Sequence, residues 1–230
     1  MSVPIILGFI LAFIHYFSEF FHNHCNKKLV GRLLSFVAGV SVSYLFLYLL
    51  PELTQGTKNL NMLLFFFLLT GFTFFHLIEK YVYQHETGNK RAKQLNEIHT
   101  ITFFCYHVLV GVVLTRLAVL GMRNILLFFV PIALHSAISS FSLKEVHSSK
   151  HHESHIARIF LSLSPLFGVF FALRFGLADT YFYSSLGFLG GALLYIVIHD
   201  LIPRGKKGKP FFFFLGTFLY AVTVYLTFTL

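Results

Sequence analysis

Two histidines lie inside long apolar stretches of the sequence, His107 after Phe103-Phe104-Cys105-Tyr106 and His135 after Pro131-Ile132-Ala133-Leu134. A charged side chain within a membrane span costs roughly 2.5–3.5 kcal/mol, so ionisable residues at such positions are candidates for function. Neutral imidazole is a good ligand for zinc and related first-row metal ions. The two histidines therefore predict a buried metal site. The alternative is that each ring hydrogen-bonds a neighbouring helix and stays neutral.

Two further groups of residues carry metal-ligating side chains. His15, Glu19 and His22 are spaced i, i+4 and i+7, which places them on one helix face. They form either a cytoplasmic exit site for metal or only the polar inner end of the first span. A later stretch contains four histidines: His147, His151, His152 and His155. This composition is typical of short metal-binding tracts, although a solvated linker would have the same composition.

Composition places the chain in a lipid bilayer. Of its 230 residues, 56% are hydrophobic and only 12% are charged, and the mean hydropathy is +0.74. The net charge of +9 comes from short basic clusters between apolar runs, which argues against a nucleic-acid partner. Cys25 and Cys105 are far apart, so they predict neither a disulfide framework nor a thiolate zinc site. The N-terminus lacks a basic region and a cleavage site, so we expect a retained helix.

The apolar runs predict an all-α, polytopic membrane protein. A bilayer-spanning helix needs about 20 apolar residues, and eight stretches qualify: 3–21, 33–50, 60–81, 98–120, 125–143, 156–177, 181–202 and 210–230. Polar stretches between them, such as 23–31, 84–97 and 144–154, are expected to be loops. Fourteen of the 18 Lys and Arg residues then fall on one side of the membrane. The positive-inside rule puts that side in the cytoplasm and both termini outside.

Two parts of the chain carry similar Gly and Pro patterns. In the second span Pro51 follows Gly39 by twelve residues, and in the seventh span Pro203 follows Gly191 by twelve. The third and eighth spans both open with Phe runs that lead to Gly71 and Gly216. The pattern predicts two three-helix repeats (1–83 and 156–230) of opposite orientation around a central helix pair (98–143), as in many secondary transporters. The alternative is that Gly and Pro are common in membrane helices.

These motifs resemble the ZIP family of divalent-metal transporters, which has eight helices, outward-facing termini and two inverted three-helix repeats. The second span of that family starts with small residues and ends with the motif LLPE. The residues here that resemble these two features are Ala38-Gly39 and Leu50-Pro51-Glu52. The seventh span resembles the family's GxxLYxxxxxxxP pattern. The end of the family's third span is similar to Thr70-Gly71-Phe72 and Glu79-Lys80 of this chain.

The resemblance implies a metal site on the fourth and fifth spans, and the sequence departs from the family there. The family has a carboxylate one turn after each site histidine, whereas this chain has Gly111 after His107 and Ser139 after His135. Asp200, three residues before Pro203, holds a position where the family often places a ligand. The resemblance thus implies a metal site of His107, His135, Ser139 and Asp200 with few anionic groups.

The favoured function is transport of a divalent cation (zinc, iron or manganese) toward the cytoplasm across the cell membrane, by alternating access. Two alternatives stay open. One is a ZIP-like metal sensor or scaffold without transport, and the other is an intramembrane metal-dependent lipid hydrolase that would use His107, His135 and His199-Asp200. No convincing nucleophile constellation supports an enzyme, so neither catalytic residues nor a resident cofactor are predicted. The predicted partners are the lipid bilayer and the metal ion, with a homodimer left open.

Overall fold

The computed structural model describes residues 2–24, 26–146, 155–201 and 208–229, without the side chains at 19–24, 57–60, 139–146, 155–157, 200–201 and a few single positions. Within these residues the chain is helical and has no strand. Its helices are α1 (Ser2–His24), α2 (Lys27–Tyr44), α3 (Leu50–Leu60), α4 (Leu63–His85), α5 (Gly88–Leu120), α6 (Met122–Val146), α7 (His155–Phe175), α8 (Asp179–Ile196) and α9 (Pro210–Thr229).

Two short π-helical segments extend the regular helices. The first, π1 (Leu45–Leu49), joins α2 to α3, and the second, π2 (Val197–Leu201), continues α8. They begin six residues after Gly39 and Gly191 respectively, in the two stretches that carry the similar Gly and Pro patterns. Because π segments often occur at functional sites, their matching positions direct attention to the residues beside them.

The described helices have the length and apolarity of membrane spans. Six of them can cross a bilayer: Lys28–Gly56, Leu63–His85, Thr100–Leu120, Arg158–Phe175, Asp179–His199 and Pro210–Thr229. The stretches Ser2–Ser18 in α1 and Met122–Ile138 in α6 are apolar and somewhat shorter. Large apolar side chains such as Phe13 and Phe175 lie exposed on the outer surface. The predictions of an all-helical fold and of an integral membrane protein are thus confirmed.

Two predicted loops are largely helical. In the stretch 23–31, α1 continues to His24 and α2 begins at Lys27. The polar stretch 84–97 forms the beginning of α5, which starts at Gly88 and runs for 33 residues. Its residues are mostly good helix formers with no internal breaker. Only two residues of extended backbone, Glu86 and Thr87, separate α5 from α4. The Glu86 side chain accepts a hydrogen bond from Gln94 Nε2 at 3.0 Å, while Arg91 Nε donates to the Glu86 carbonyl at 2.6 Å.

The predicted loop 144–155 is also shorter than expected. Helix α6 continues to Val146, and His155 is the first residue of α7. The stretch 147–154, which holds His147, His151 and His152, lies outside the described residues.

Helices α2 and α9 pack side by side and run parallel. The Lys209 N–H donates to Ser35 Oγ at 3.0 Å, and Ser43 Oγ donates to the Thr217 carbonyl at 3.3 Å. In each pair the two bonded residues are 174 positions apart in the sequence. Because this separation is the same at both contacts, the two helices run in the same direction. Between them, Gly39 lies directly against the Phe213 carbonyl, where a Cβ would overlap the backbone.

Three helix pairs in all approach through glycine. In α4 and α8, Gly71 faces the Phe188 carbonyl and Gly191 faces the Leu68 carbonyl. In α5 and α7, Gly111 faces the Pro165 carbonyl and Gly168 faces the Val108 carbonyl. Gly216 of α9 completes the set against the Phe36 carbonyl. Small residues let membrane helices come close enough for backbone contact, so these glycines set the helix spacing.

Six of the contacts between helices fall into three matched pairs. Helix α2 packs on α9 as α4 packs on α8, α5 packs on α7 as α1 packs on α6, and α2 packs on α6 as α5 packs on α8. One exchange of helices turns each of these six contacts into its counterpart: α1 with α7, α2 with α8, α4 with α9 and α5 with α6. The same exchange relates Gly39 to Gly191, π1 to π2 and Gly71 to Gly216.

Replacing Gly39 or Gly191 by Ala is expected to destabilise the protein, because the added Cβ meets a fixed backbone carbonyl. Overpacking of this kind costs about 1–3 kcal/mol. The measurement is thermal unfolding of the purified protein in detergent. The matched control is Gly8→Ala, whose Cβ would meet only side chains, with Leu166 Cδ2 at 3.0 Å and Val169 Cγ2 at 3.4 Å. Equal losses at all three positions would contradict the assignment of Gly39 and Gly191 to backbone contacts.

Candidate functional site

His107 of α5 and Ser136 of α6 form the centre of the candidate site. The His107 Nε2 and Ser136 Oγ atoms are 3.0 Å apart, and both side chains are almost completely buried. His107 Nδ1 lies 2.9 Å from the Phe103 carbonyl oxygen, one turn earlier on the same helix. Both ring nitrogens of His107 are therefore engaged by fixed partners.

These partners decide the tautomer of a neutral His107 ring. A carbonyl oxygen can only accept, so Nδ1 carries the proton and donates it to Phe103. Nε2 is then the acceptor, and the Ser136 hydroxyl donates to it. Metal-binding histidines are usually oriented in this way, with one ring N–H on a carbonyl and the other nitrogen directed at the metal. The local geometry thus prepares Nε2 as a ligand atom.

Two more histidines lie beside His107. The His15 ring of α1 is 5.2 Å from the His107 ring, between centroids, and the buried His135 of α6 directly precedes Ser136. Phe103 packs among all three, with its ring 5.4 Å from His15, 4.4 Å from His107 and 6.3 Å from His135. We call His15, His107 and His135 the histidine cluster. Helices α1, α5 and α6 contact one another and together hold it.

His107 lies close to the middle of its membrane span. His107 is three residues from the centre of the apolar stretch Thr100–Leu120, which corresponds to about 4.5 Å along the helix axis. It is displaced toward the end of the bundle at which α5 begins its apolar stretch. Ser18 Oγ donates to the His15 carbonyl at 2.8 Å on that same side. His107 is thus far from both ends of its apolar stretch, whereas His15 and His135 each lie three residues from the end of theirs, Ser2–Ser18 and Met122–Ile138.

The distance between His107 Nε2 and Ser136 Oγ can be compared with the spacing of two ligands on one divalent ion. Metal–ligand distances to nitrogen and oxygen are about 2.0–2.2 Å, so two ligands at a right angle lie about 3 Å apart. The observed separation of 3.0 Å matches this value.

The carboxylate that the resemblance leads one to expect after His107 has no space. Gly111 faces α7 and lies against the Pro165 carbonyl, so any side chain there would overlap backbone. The neighbouring Val110 is fully buried. The tight contact between α5 and α7 therefore explains why this turn of α5 carries no acid.

The outcome for the predicted metal ligands is mixed. His107 and His135 both lie against Phe103 and Tyr106, and the ring beside His107 is that of His15, which the sequence grouped with Glu19 and His22. The side chains of Ser139 and Asp200, and those of Glu19, His22 and His155, lie outside the described residues. Within the part of the chain that is described, no three His, Cys, Asp or Glu side chains are arranged to hold a metal ion by themselves. A bound ion would need Ser136 or water as well.

The sequence did not identify Ser136 as a site residue. The only feature that points to it is its position directly after His135. Sequence spacing does not say which residue of α6 faces His107, since the two lie 29 residues apart on different helices.

A second polar group was missed as well, at the contact between α4 and π2. The Tyr195 hydroxyl donates to Glu79 Oε2 at 2.6 Å, and His199 Nε2 is 3.4 Å from Glu79 Oε1. The Tyr195 and His199 rings stack with centroids 5.4 Å apart. This group holds the end of α8 against α4. Since Glu79 engages both partners, His199 is committed to a structural contact in this state.

Comparison with known proteins leaves the family open: no family model matches the chain, and no curated protein matches it. Function therefore has to be inferred from the chain's own residues. The described part of the chain supplies a membrane-embedded helix bundle and a buried histidine cluster next to a serine.

Replacing Ser136 by Ala is expected to destabilise the protein by about 1–3 kcal/mol, because it leaves a buried imidazole nitrogen without its donor. Thermal unfolding in detergent measures this. The matched control is Ser162→Ala, since Ser162 is also buried but its hydroxyl only donates to the Arg158 carbonyl of its own helix at 2.7 Å. A loss no larger than that of the control would argue against the Ser136–His107 bond.

Proposed function

We propose that this protein is a carrier for a divalent cation, with zinc, iron or manganese as the cargo, and that the histidine cluster is its central binding site. The observation that carries the proposal is the orientation of His107. Its Nδ1–H is fixed on the Phe103 carbonyl, and its Nε2 faces Ser136 within a cluster of three imidazoles. Imidazole nitrogens favour zinc and related first-row ions.

The ligand set suits a carrier better than a permanent metal site. Imidazole and hydroxyl groups are neutral, so the charge of a bound divalent ion is not cancelled in a region of low dielectric. Affinity is therefore modest, and a modest affinity allows release. The low polarity around the cluster, with Phe103 against every imidazole, keeps competing water away from the site.

The proposed architecture is an eight-helix bundle of two inverted three-helix repeats (1–83 and 156–230) around a central pair (98–143), with both termini outside. Matched helix contacts, matched glycines and the equivalent π1 and π2 segments support it. Parallel packing of α2 with α9 supports it further, because spans two and eight of such a bundle cross in the same direction. The motifs that resemble the ZIP family imply the same arrangement.

The proposed mechanism is alternating access around the central pair α5 and α6. Helix α1 packs on α6 and α7 packs on α5, so movement of either repeat reaches the histidine cluster through a direct contact. Cation entry from outside and release to the cytoplasm would then follow from rocking of the repeats. The basic loops face the cytoplasm in this proposal.

Zinc uptake into proteoliposomes tests the carrier function. Wild-type protein is expected to take up zinc, followed with a trapped fluorescent indicator, and His107→Ala and His135→Ala are expected to reduce the initial rate at least tenfold. The matched control is His85→Ala, which should not change the rate. His85 makes the same bond from Nδ1 to a carbonyl one turn back (Tyr81, 2.9 Å), but it is exposed.

The alternatives appear as distinct outcomes of that experiment. A folded wild-type protein that binds zinc without moving it would favour the sensor or scaffold. Release of lipid products that depends on His107 and His135 would favour the intramembrane hydrolase. Uptake that survives both histidine variants would contradict the proposed site.

Cysteine labelling tests the proposed topology. In a variant without Cys25 and Cys105, a new cysteine at Met122 or Leu177 is expected to react with a membrane-impermeant maleimide in intact cells. A cysteine at Thr87 should react only after permeabilisation, because the turn between α4 and α5 faces the cytoplasm in the proposed bundle. Labelling of Thr87→Cys in intact cells would contradict the eight-span arrangement.

A further inference from the structure

An apolar groove follows the outside of the bundle between α1 and α7, and we call it the α1–α7 groove. Its volume is about 600 Å³, which lies within the usual range of ligand-binding clefts, about 300–1,000 Å³. One face of each helix lines it, and the largest lining side chains are Ile6, Phe9, Phe13, Phe17, Ile159 and Leu163.

The walls of the groove suit a hydrocarbon chain. Ser162 of α7 is among the lining residues, but its hydroxyl donates to the Arg158 carbonyl of its own helix at 2.7 Å and is thereby satisfied. The Phe13 and Phe17 rings pack together with centroids 4.4 Å apart. A polar ligand would lose its hydrogen bonds to water against such walls, whereas a hydrocarbon chain loses none.

The length of the groove corresponds to one leaflet of a bilayer. Ile6 and Phe17 are eleven residues apart, so the groove follows α1 for about 16 Å. Half of a hydrocarbon core is about 15 Å thick. Phe17 directly precedes Ser18, at which the apolar stretch of α1 ends. The groove therefore extends from one edge of the apolar region to about its middle, as one lipid acyl chain does.

A cation stands at the edge of the apolar region and only at that end of the groove. The Arg158 guanidinium lies over the ring of Tyr16, a lining residue, at 5.4 Å from the ring centroid. Arg158 is the first residue of the apolar stretch of α7, which places it at headgroup depth. Residues 2–14 of α1 and 159–173 of α7 contain no charged side chain. A guanidinium stacked on an aromatic ring can still bind a phosphate through two N–H groups.

We propose that the α1–α7 groove binds one anionic phospholipid, with an acyl chain along the groove and the phosphate on Arg158. This site goes beyond the cation-carrier function and does not require it. A lipid with net negative charge is favoured over a zwitterionic one because the segments 19–32 and 144–158, which flank this end of the two helices in the sequence, contain six basic and three acidic residues. Basic segments next to a membrane span attract anionic lipids.

Tryptophan fluorescence tests the site, because the chain contains no tryptophan of its own. Full-length Phe13→Trp is reconstituted into phosphatidylcholine bilayers that contain a small fraction of phosphatidylglycerol. In one set of bilayers the phosphatidylglycerol carries bromine on its acyl chains, and in the other an equal amount of the phosphatidylcholine does. Bromine quenches a tryptophan that it contacts. We expect brominated phosphatidylglycerol to quench Phe13→Trp at least fivefold more than brominated phosphatidylcholine.

Two controls locate this preference. Phe214→Trp in α9 reports on a side chain that is 64% exposed, as Phe13 is 63% exposed, but lies outside the groove, so both lipids should quench it equally. On the Phe13→Trp background, Arg158→Gln should abolish the preference and Arg158→Lys should keep it within threefold. The matched control is Arg174→Gln, which should leave it within twofold, because Arg174 also lies over an aromatic ring (Phe175, 5.7 Å) but at the opposite end of α7.

Thermal unfolding of each variant shows which of them are folded, and the comparison of Phe13→Trp with Phe214→Trp needs no change at Arg158. Equal quenching of Phe13→Trp by the two lipids would overturn the proposal. So would an equally strong preference at Phe214→Trp, or a preference that survives Arg158→Gln. Quenching of Phe13→Trp by neither lipid would show that protein, such as a second copy of the chain, covers the groove instead, and would also overturn it.

Discussion

Helices in this bundle meet backbone to backbone, and that close approach at glycine is the constraint on which the rest of the structure depends. Lipid is as apolar as a leucine side chain, so no hydrophobic force drives membrane helices together, and packing has to do so. Gly111 and Gly168 bring α5 and α7 together one turn from His107. Gly39, Gly71, Gly191 and Gly216 do the same for the outer pairs, so the positions of the imidazoles follow from residues with no chemistry of their own.

The same constraint shapes the chemistry of the candidate site. A carboxylate one turn after His107 would occupy the space that α7 fills at Gly111. The chain instead surrounds His107 with neutral groups, namely the Phe103 carbonyl, the Ser136 hydroxyl and two further histidines. A neutral ligand set avoids the cost of a buried negative charge in the empty site. It also makes a bound cation easier to release.

Sequence reasoning succeeded where local patterns carry the information. The all-helical membrane fold follows from the length of apolar runs, and the equivalence of Gly39 with Gly191 followed from their spacing to proline. The prediction of a loop at 84–97 was wrong. Polar residues with high helix propensity form a helix there, and they can do so outside the apolar region of the membrane. Ser136 and Glu79 were missed because their roles depend on partners far away in sequence. The Tyr195–Glu79 bond, for example, spans 116 residues.

X-ray absorption at the zinc edge, recorded on purified protein with one equivalent of zinc, tests the central claim most directly. The account predicts a first shell that includes imidazole nitrogen at about 2.0–2.1 Å together with oxygen. The imidazole signal should weaken in His107→Ala and stay unchanged in His85→Ala. A shell of oxygen alone in the wild type, or an imidazole signal that is the same in His107→Ala, would contradict a cation site at the histidine cluster.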